Sequence, residues 1–590
     1  MNAQIVCDFQ AVQNEPSARR GLGRYATEHA RALARCGAIR ALLLNPVVAA
    51  PPRLDIELSK SGLVRWNTAA SIRQLADRGP FAYLVMSPFE LQTSPGNVVS
   101  HHTIRGDIPL LVMLYDLVPL VMPHTYLDNE YKSRRYRARL ELLRAADVLL
   151  ALSERSKQDA MRYLGISDDR IVVIGAGVSQ TFSSQTEDEA TARIVNESVP
   201  DIRGPFVLSV SGGDERKNTE RLLEAWALLD ADLRSSMQLV IVGFLYRSLE
   251  VRWRKRCREL GLSADEVVFT DWVSDAALAA LYRSAQLFVF PSLYEGFGLP
   301  VAEAAAAGCP VITSDPAPIP EILDFRPSVF DARDVGAMSA CIERGIRDDE
   351  FRASLIRAAQ GSTSRHTWEQ VASRTVRALE RVEWDEWRVP RRRVAFCGRF
   401  GGRDDGLSEQ NREVVAAIAT DSDVDVFWTD RHRPASAGSL SAFRPRPLSA
   451  LERAVNPASY DAIVYSLDAP QRMKFPGIAW YHRRVRVSRA RHVPRWVRRA
   501  LAAVVRVLLS DAAANFVARE PSLLEKMPPR AIVGASEGVL PQDGVSASVI
   551  VRATNARVVA SQLTQIIDGL APILPDLGGE PNEPADGASQ

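Results

Sequence analysis

Cysteine is scarce and scattered in this 590-residue chain: six residues, at 7, 36, 257, 309, 341 and 397, with no Cys-x-x-Cys. That spacing argues against a disulfide framework or a thiolate zinc site. A reducing cytosol is the expected setting, with Cys7, Cys309 and Cys397 as buried free thiols in apolar runs. An excess of one charge is also missing. The formal net charge is +2, so no global basic field points to nucleic acid. Long apolar runs are absent as well. The longest, Leu110 to Pro123, is broken by Asp116 and Pro119, too short and too interrupted to span a bilayer. Residues 1–9 read as a strand rather than as a charged n-region and apolar h-region, so no signal peptide is expected. The adjacent pair His101-His102 would point to opposite sides of a strand. With no carboxylate or cysteine at ligand spacing, it makes a poor metal site.

What is present is a globular composition, 46% hydrophobic and 24% charged, with length for about three or four domains of ~150 residues. Short apolar runs alternate with helical periodicity. In residues 1–190, strands are expected at 5–9, 41–44, 82–86, 110–115, 148–152 and 171–173. In residues 191–388 they are expected at 206–210, 239–242, 267–269, 287–290 and 311–313. Helices are expected over 25–36, 219–229 and from His366 to about Val382. Alternation of this kind predicts α/β lobes with parallel, doubly wound sheets.

A Pro/Arg-rich stretch, Val389 to Arg393, opens a third α/β segment, 389–575. Strands are expected there at 394–396, 424–428, 462–465 and 477–481, with a helix from 406 to about 419. Residues 576–590 read as a disordered tail rich in Gly, Pro, Glu and Asp. Arg484 to Arg506 is strongly basic with interleaved apolar residues. It fits either an amphipathic helix on an anionic membrane or one packed on its own domain. Asp423-Val424-Asp425 has the form of a metal-binding DxD but stands at a strand start, which argues against that role.

Chemistry concentrates at a few points. Glu295 lies in the turn after the apolar run 287–290, and Glu303 lies about one turn into the Ala-rich helix that follows. Gly296 and Gly298 allow close backbone approach and unusual dihedral angles. Together with Phe297 and Leu299 they would line the helix start, whose N–H groups suit phosphate or polarised hydroxyls. Carboxylates accept two hydroxyls at once. Taken alone, two glutamates also fit an ordinary strand–loop–helix unit. Arg216-Lys217 follow a Gly-Gly turn after the strand 206–210 and suit a concentrated negative charge, although Asp214-Glu215-Arg216-Lys217-Asn218 also fits a solvated helix start. Gly21 and Gly23, in Arg20-Gly21-Leu22-Gly23-Arg24-Tyr25, form a Gly-rich turn after the first strand. Asp116 follows an apolar strand. It fits a proton-accepting group, or a helix-capping or loop carboxylate.

The run from Pro291 to Asp315 resembles the E-x7-E element of retaining GT-B glycosyltransferases of family 4, almost position by position. Asp271-Trp272-Val273, the preceding helix, and Pro320-Glu321 extend the match. "RKN" at Arg216 to Asn218, "RGLGRY" at Arg20 to Tyr25, and Ser153-Glu154 also resemble the family. Tyr115-Asp116-Leu117-Val118-Pro119 resembles its "HDLIP", with Tyr115 where the family has histidine. The additional arginine that some members carry after the glycine is absent, its place falling at Gly213 or Asp214. The resemblance covers about residues 1–385. It implies a GT-B fold, two Rossmann-like lobes facing a cleft, with the third segment a degenerate first lobe or an unrelated α/β domain.

The same resemblance implies hexose transfer from a nucleotide diphosphate sugar to a growing or lipid-linked glycan in cell-surface polysaccharide assembly. The polysaccharide-building members favour mannose and GDP-mannose. Glu303 would take the ribose hydroxyls and Glu295 the donor sugar. Arg216 and Lys217 would hold the leaving diphosphate, with no cofactor and no obligatory metal. Gly21 and Gly23 would lie near donor phosphate and acceptor. A cytoplasmic location is expected, and the membrane-contact reading of Arg484 to Arg506, one of its two readings, would suit a lipid-linked acceptor. The competing readings are a non-catalytic nucleotide-sugar-binding or scaffolding subunit, and another GT-B enzyme such as a phosphorylase or epimerase.

Overall fold

The computed structural model describes residues 4–13, 21–45, 55–89, 107–184, 187–211, 213–243, 247–315, 320–323, 325–363, 365–384, 387, 389–398, 406–420, 422–428, 446–447, 462–466 and 531–534. Contacts divide the chain into two units. One comprises Met1–Gly23, Ile39–Leu110 and Glu383–Gln590, the other Arg24–Ala38 and Leu111–Val382.

In the first unit, β1 (Gln4–Asp8), β2 (Ile39–Leu44), β3 (Val64–Trp66) and β4 (Phe81–Val85) pair in the order β3-β2-β1-β4, all parallel. Every residue of β4 is buried. Such near-continuous burial is expected of strands covered on both faces. β3 is an addition to the expected set.

The second unit contains β5 (Leu110–Leu114, from Leu111 on), β6 (Val148–Ala151) and β7 (Ile171–Val173), parallel in that order. It also holds a six-stranded parallel sheet. Its strands are β8 (Phe206–Val210), β9 (Gln238–Val242), β10 (Val267–Thr270), β11 (Leu287–Phe290), β12 (Val311–Ser314) and β13 (Val329–Phe330). They run in the order β10-β9-β8-β11-β12-β13. The winding reverses between β8 and β11, and open α/β sheets bind ligands beyond the C-terminal strand ends at such a point.

Helices pack closely on this sheet. Trp226, from the helix Thr219–Ala227, is fully buried in a cluster with Val207, Ile241, Leu287 and Val289. Burying one large apolar side chain contributes about 1.5–3 kcal/mol. Gly345 lets the helix Val335–Arg347 seat against β11, since a Cβ there would stand 2.8 Å from Leu287 Cδ2. The helix Trp368–Ala378, capped by Thr367, ends four residues before Val382, and a 3-10 turn Leu379–Arg381 completes it. Arg374 and Arg381 donate to the carbonyls of Ile174 and Ile171 at 3.1 Å. This helix is thereby tied to the β7 strand.

The C-terminal part of the first unit forms a further parallel sheet. It consists of β14 (Arg392–Gly398), β15 (Ser422–Trp428), β16 (Arg446–Pro447), β17 (Ala462–Ser466) and β18 (Ala531–Gly534), in the order β16-β15-β14-β17-β18. The helix Gly406–Ile418 connects β14 to β15. Asp423 and Asp425 lie within β15 and pair with Arg391 (3.9 Å) and Arg393 (2.7 Å), in keeping with a structural rather than metal-binding role. The expected strand at 477–481, the basic segment Arg484 to Arg506, the tail 576–590 and the pair His101-His102 lie outside the described residues. Among the described residues no helix is long and apolar enough to cross a membrane, and no group of His, Cys, Asp or Glu could hold a metal ion.

Candidate active site

The basic loop after β8 does not open a helix directly. Glu215–Lys217 form a 3-10 turn, with Asp214 accepting from the Arg216 N–H at 3.2 Å. Asn218 follows in the left-handed region at φ 60°, the one non-glycine with positive φ among the described residues. That conformation is costly for most side chains and tolerated by asparagine. Here the Asn218 amide donates to the carbonyls of Pro291 (3.1 Å) and Ala332 (2.7 Å). The Leu293 N–H donates to the Arg216 carbonyl at 2.7 Å. The basic turn is thus fastened by backbone and amide bonds to the segment just after β11.

That fastening brings Glu295 to both cations. Its Oε2 pairs with Arg216 Nη1, and its Oε1 lies 2.8 Å from Lys217 Nζ. Burial would raise the Glu295 carboxyl, but the two cations outweigh it and hold it at about 2. Burial lowers the Lys217 ammonium, with Glu295 opposing. Burial also works against the Arg216 charge, while Glu295, Asp214 and Asp116 more than compensate. Lys217 Nζ further sits 4.7 Å from the Phe290 ring centroid. Asp116 is half-buried, and its carboxyl is raised by burial with Arg216 opposing. It accepts from the Val118 N–H at 3.1 Å. That local contact accords with the loop-cap reading.

The two glycines of the Glu295 loop do different work. Gly298 has φ 99° and caps the helix Leu299–Ala306, with Pro300 in its first turn. Gly296 has no positive φ; it is required by crowding instead. A Cβ there would collide with the Tyr115 carbonyl and stand 2.8 Å from Asp116 Cβ. The Gly296 carbonyl accepts from Ser153 Oγ (2.5 Å) and Ser156 Oγ (3.1 Å). Ser153 also caps the helix Glu154–Asp159, giving the Ser153-Glu154 element a positional role. Phe297 is buried edge-on to His366, with centroids 5.6 Å apart. Leu299 is half-buried at the helix start. Gly296→Ala is expected to lower unfolding stability by about 1–3 kcal/mol through overpacking. A urea midpoint equal to that of the wild type would refute the crowding argument.

Glu303 is buried one turn into the same helix and pairs through Oε1 with Arg24 Nη2. Arg24 Nη1 also lies 2.9 Å from Asp275 Oδ1. Burial pushes the Glu303 carboxyl up to about 7, with Arg24 opposing and Asp275 adding to the rise. Gly21 and Gly23 are not in a loop: the helix begins at Gly21, four residues before the expected start at Tyr25, and runs to Arg35. Both belong to the first unit. Glu295, Glu303, Arg216, Lys217, Asp116, Gly296, Phe297, Gly298 and Leu299 all belong to the second.

Sequence reasoning missed several participants. Arg24 stood beside the glycines singled out, but nothing marked Asp275 and Glu303 as its partners. Tyr126 donates to Asp214, which holds Arg216 Nε at 3.1 Å. Tyr294 donates to buried Asp159, with the Arg155 guanidinium 5.1 Å from its ring centroid.

Residues 191–362 match the family model of glycosyl transferases group 1. The chain is similar to the serotype-specific mannosyltransferase WbdA of Escherichia coli, 30% identical over 272 residues, 45% of this chain and 33% of WbdA. It is also similar to the O-antigen chain mannosyltransferase B of Escherichia coli, 29% identical over 240 residues, 41% of this chain and 62% of that protein. The match spans about a third of the length of WbdA. Among solved structures, Anabaena HepE in complex with UDP and glucose shares the fold. The TM-score is 0.51 at 16% identity, covering 64% of this chain and 100% of HepE. The α/β, GT-B architecture expected from the resemblance is the one found.

Proposed function

We propose, from the match of residues 191–362 to the glycosyl transferases group 1, that this chain is a retaining hexosyltransferase of the family 4 type. It would move mannose from GDP-mannose to a hydroxyl of a growing or lipid-linked glycan in cell-surface polysaccharide synthesis. The observation that carries this reading is Glu295 bridging Arg216 and Lys217 beyond β8 and β11. A donor's diphosphate would take the two cations, while its sugar hydroxyls would take the carboxylate. The mannosyltransferase relatives support the sugar.

In the proposed reaction the bond from the anomeric carbon to the phosphate oxygen breaks, and the acceptor oxygen bonds to that carbon on the same face. The acceptor proton passes to a leaving phosphate oxygen. Arg216, Lys217 and the N–H groups of the helix at Leu299 would stabilise the charge left on the diphosphate. No metal is needed for that stabilisation.

A thermal-shift panel of GDP-, UDP-, ADP- and dTDP-sugars tests the donor, since a bound ligand raises apparent stability. GDP-mannose is expected to give the largest rise. Mannose transfer to a mannosylated acceptor is expected to persist in EDTA and to retain the α configuration by NMR. A larger rise with a UDP-sugar would move the donor assignment. An inverted product would overturn the retaining mechanism.

A further inference from the structure

We propose that Arg24 is a positioning residue for the ribose of the bound nucleotide, acting through Glu303. This rests on the reading of Glu303 as the ribose acceptor. Arg24 is the fourth residue of the helix Gly21–Arg35, and its guanidinium meets three separate elements. One nitrogen pairs with Glu303 Oε1, on the helix Leu299–Ala306. Another lies 2.9 Å from Asp275 Oδ1, at the start of the helix Asp275–Ser284. Its central carbon sits 5.5 Å from the ring centroid of buried Phe182. A planar fork shared between two carboxylates and seated on an aromatic ring has a fixed orientation that lysine cannot reproduce. It fixes the orientation of the Glu303 carboxylate in turn.

The charge balance at Glu303 shows why that matters. The Glu303 side chain is only 4% exposed. Burial and the Asp275 carboxylate favour its neutral form. Arg24, Lys217 and the Tyr282 phenol beside it favour the ionised form, and the balance falls at about 7. An ionised carboxylate accepts two vicinal hydroxyls, whereas a neutral carboxyl turns one oxygen into a donor. Without Arg24 the balance moves to higher pH, and at neutral pH Glu303 loses the form that receives a diol. Arg24 itself keeps 28% of its side chain exposed, so the pair borders solvent on the arginine side.

The test is calorimetric titration of the full chain with GDP, UDP and their 2′,3′-dideoxy counterparts, at pH values on either side of 7. In the wild type, ribonucleotide affinity is expected to rise as the pH passes through about 7. In Arg24→Gln and Arg24→Ala the rise moves to higher pH, leaving affinity near neutrality weaker by about tenfold for each pKa unit of displacement. Arg24→Lys is expected to fall between. The dideoxy compounds share the diphosphate's own titration but lack the diol, so they should not distinguish the variants from the wild type. Equal weakening of ribo- and dideoxynucleotides, or an unchanged pH profile in Arg24→Gln, would overturn the role. Wild-type protein that binds neither GDP nor UDP would instead sink the nucleotide-site reading, and this role with it.

Discussion

Replacing Lys217 by alanine is expected to lower the turnover of sugar transfer by about 10²–10³-fold, the loss typical of removing one preorganised group from a developing negative charge. In the proposed reaction the leaving diphosphate gains charge as the anomeric bond breaks. Lys217 and Arg216 stand together where that charge would form, joined in the free protein by Glu295. The turn that carries them does not depend on the lysine side chain. The Leu293 N–H on the Arg216 carbonyl and the Asn218 amide on Pro291 remain. The variant should therefore fold, and the defect should lie in kcat more than in stability. Lys217→Arg is expected to recover only part, because a planar fork does not occupy the place of a compact ammonium packed on Phe290. Turnover of Lys217→Ala within a few-fold of the wild type, measured as nucleotide release with GDP-mannose and a glycan acceptor, would remove Lys217 from the leaving-group site.

The parts of this site legible in the sequence are those encoded locally. A buried strand, a glycine-bearing turn and an Ala-rich helix can be read between Leu287 and Gly308, and they place Glu295 and Glu303 correctly at the turn and one turn into the helix. The basic turn after β8 is equally local. Long-range partnership is not: Arg24 reaches Asp275 across 251 residues of sequence and Glu303 across 279, and only the folded chain brings these groups together. Gly296 shows a subtler limit. Its sequence suggests backbone freedom, yet the structure requires it for lack of room beside Tyr115 and Asp116. Asn218 looks like an ordinary helix-start residue, but its left-handed backbone and two amide bonds to carbonyls make it the fastener of the basic turn. The expected strands that fall among the described residues are strands there, while the two-residue β13 and β16 had too few residues to show a period.

The two glutamates, so alike in the sequence, are shifted in opposite directions, and truncating Glu295 exposes the difference. Glu295→Ala leaves Arg216 and Lys217 without the carboxylate that bridges them, and removing one member of a buried ion pair costs about 3–5 kcal/mol. Asp214 and the Tyr294 carbonyl still hold Arg216, so the lower end of that range is expected in the ligand-free protein. GDP should then stabilise Glu295→Ala more than it stabilises the wild type, because its diphosphate supplies the missing negative charge. Transfer should nonetheless be lost if Glu295 holds the donor sugar as proposed, since nothing replaces its carboxylate. The acid limb of stability gives a second readout. The Glu295 carboxyl is held at about 2 against an ordinary value of 4.5. Its contribution is therefore complete above 4.5 and lost as the pH falls through about 2. Glu303, raised to about 7, acts in the other sense: its contribution is complete below 4.5 and lost as the pH rises through 7. Glu295→Gln should abolish the first loss and leave the second. Urea midpoints followed across pH, with and without GDP, measure all of this. A Glu295→Ala protein as stable as the wild type without ligand, and no more responsive to GDP, would show that the two cations do not depend on this carboxylate.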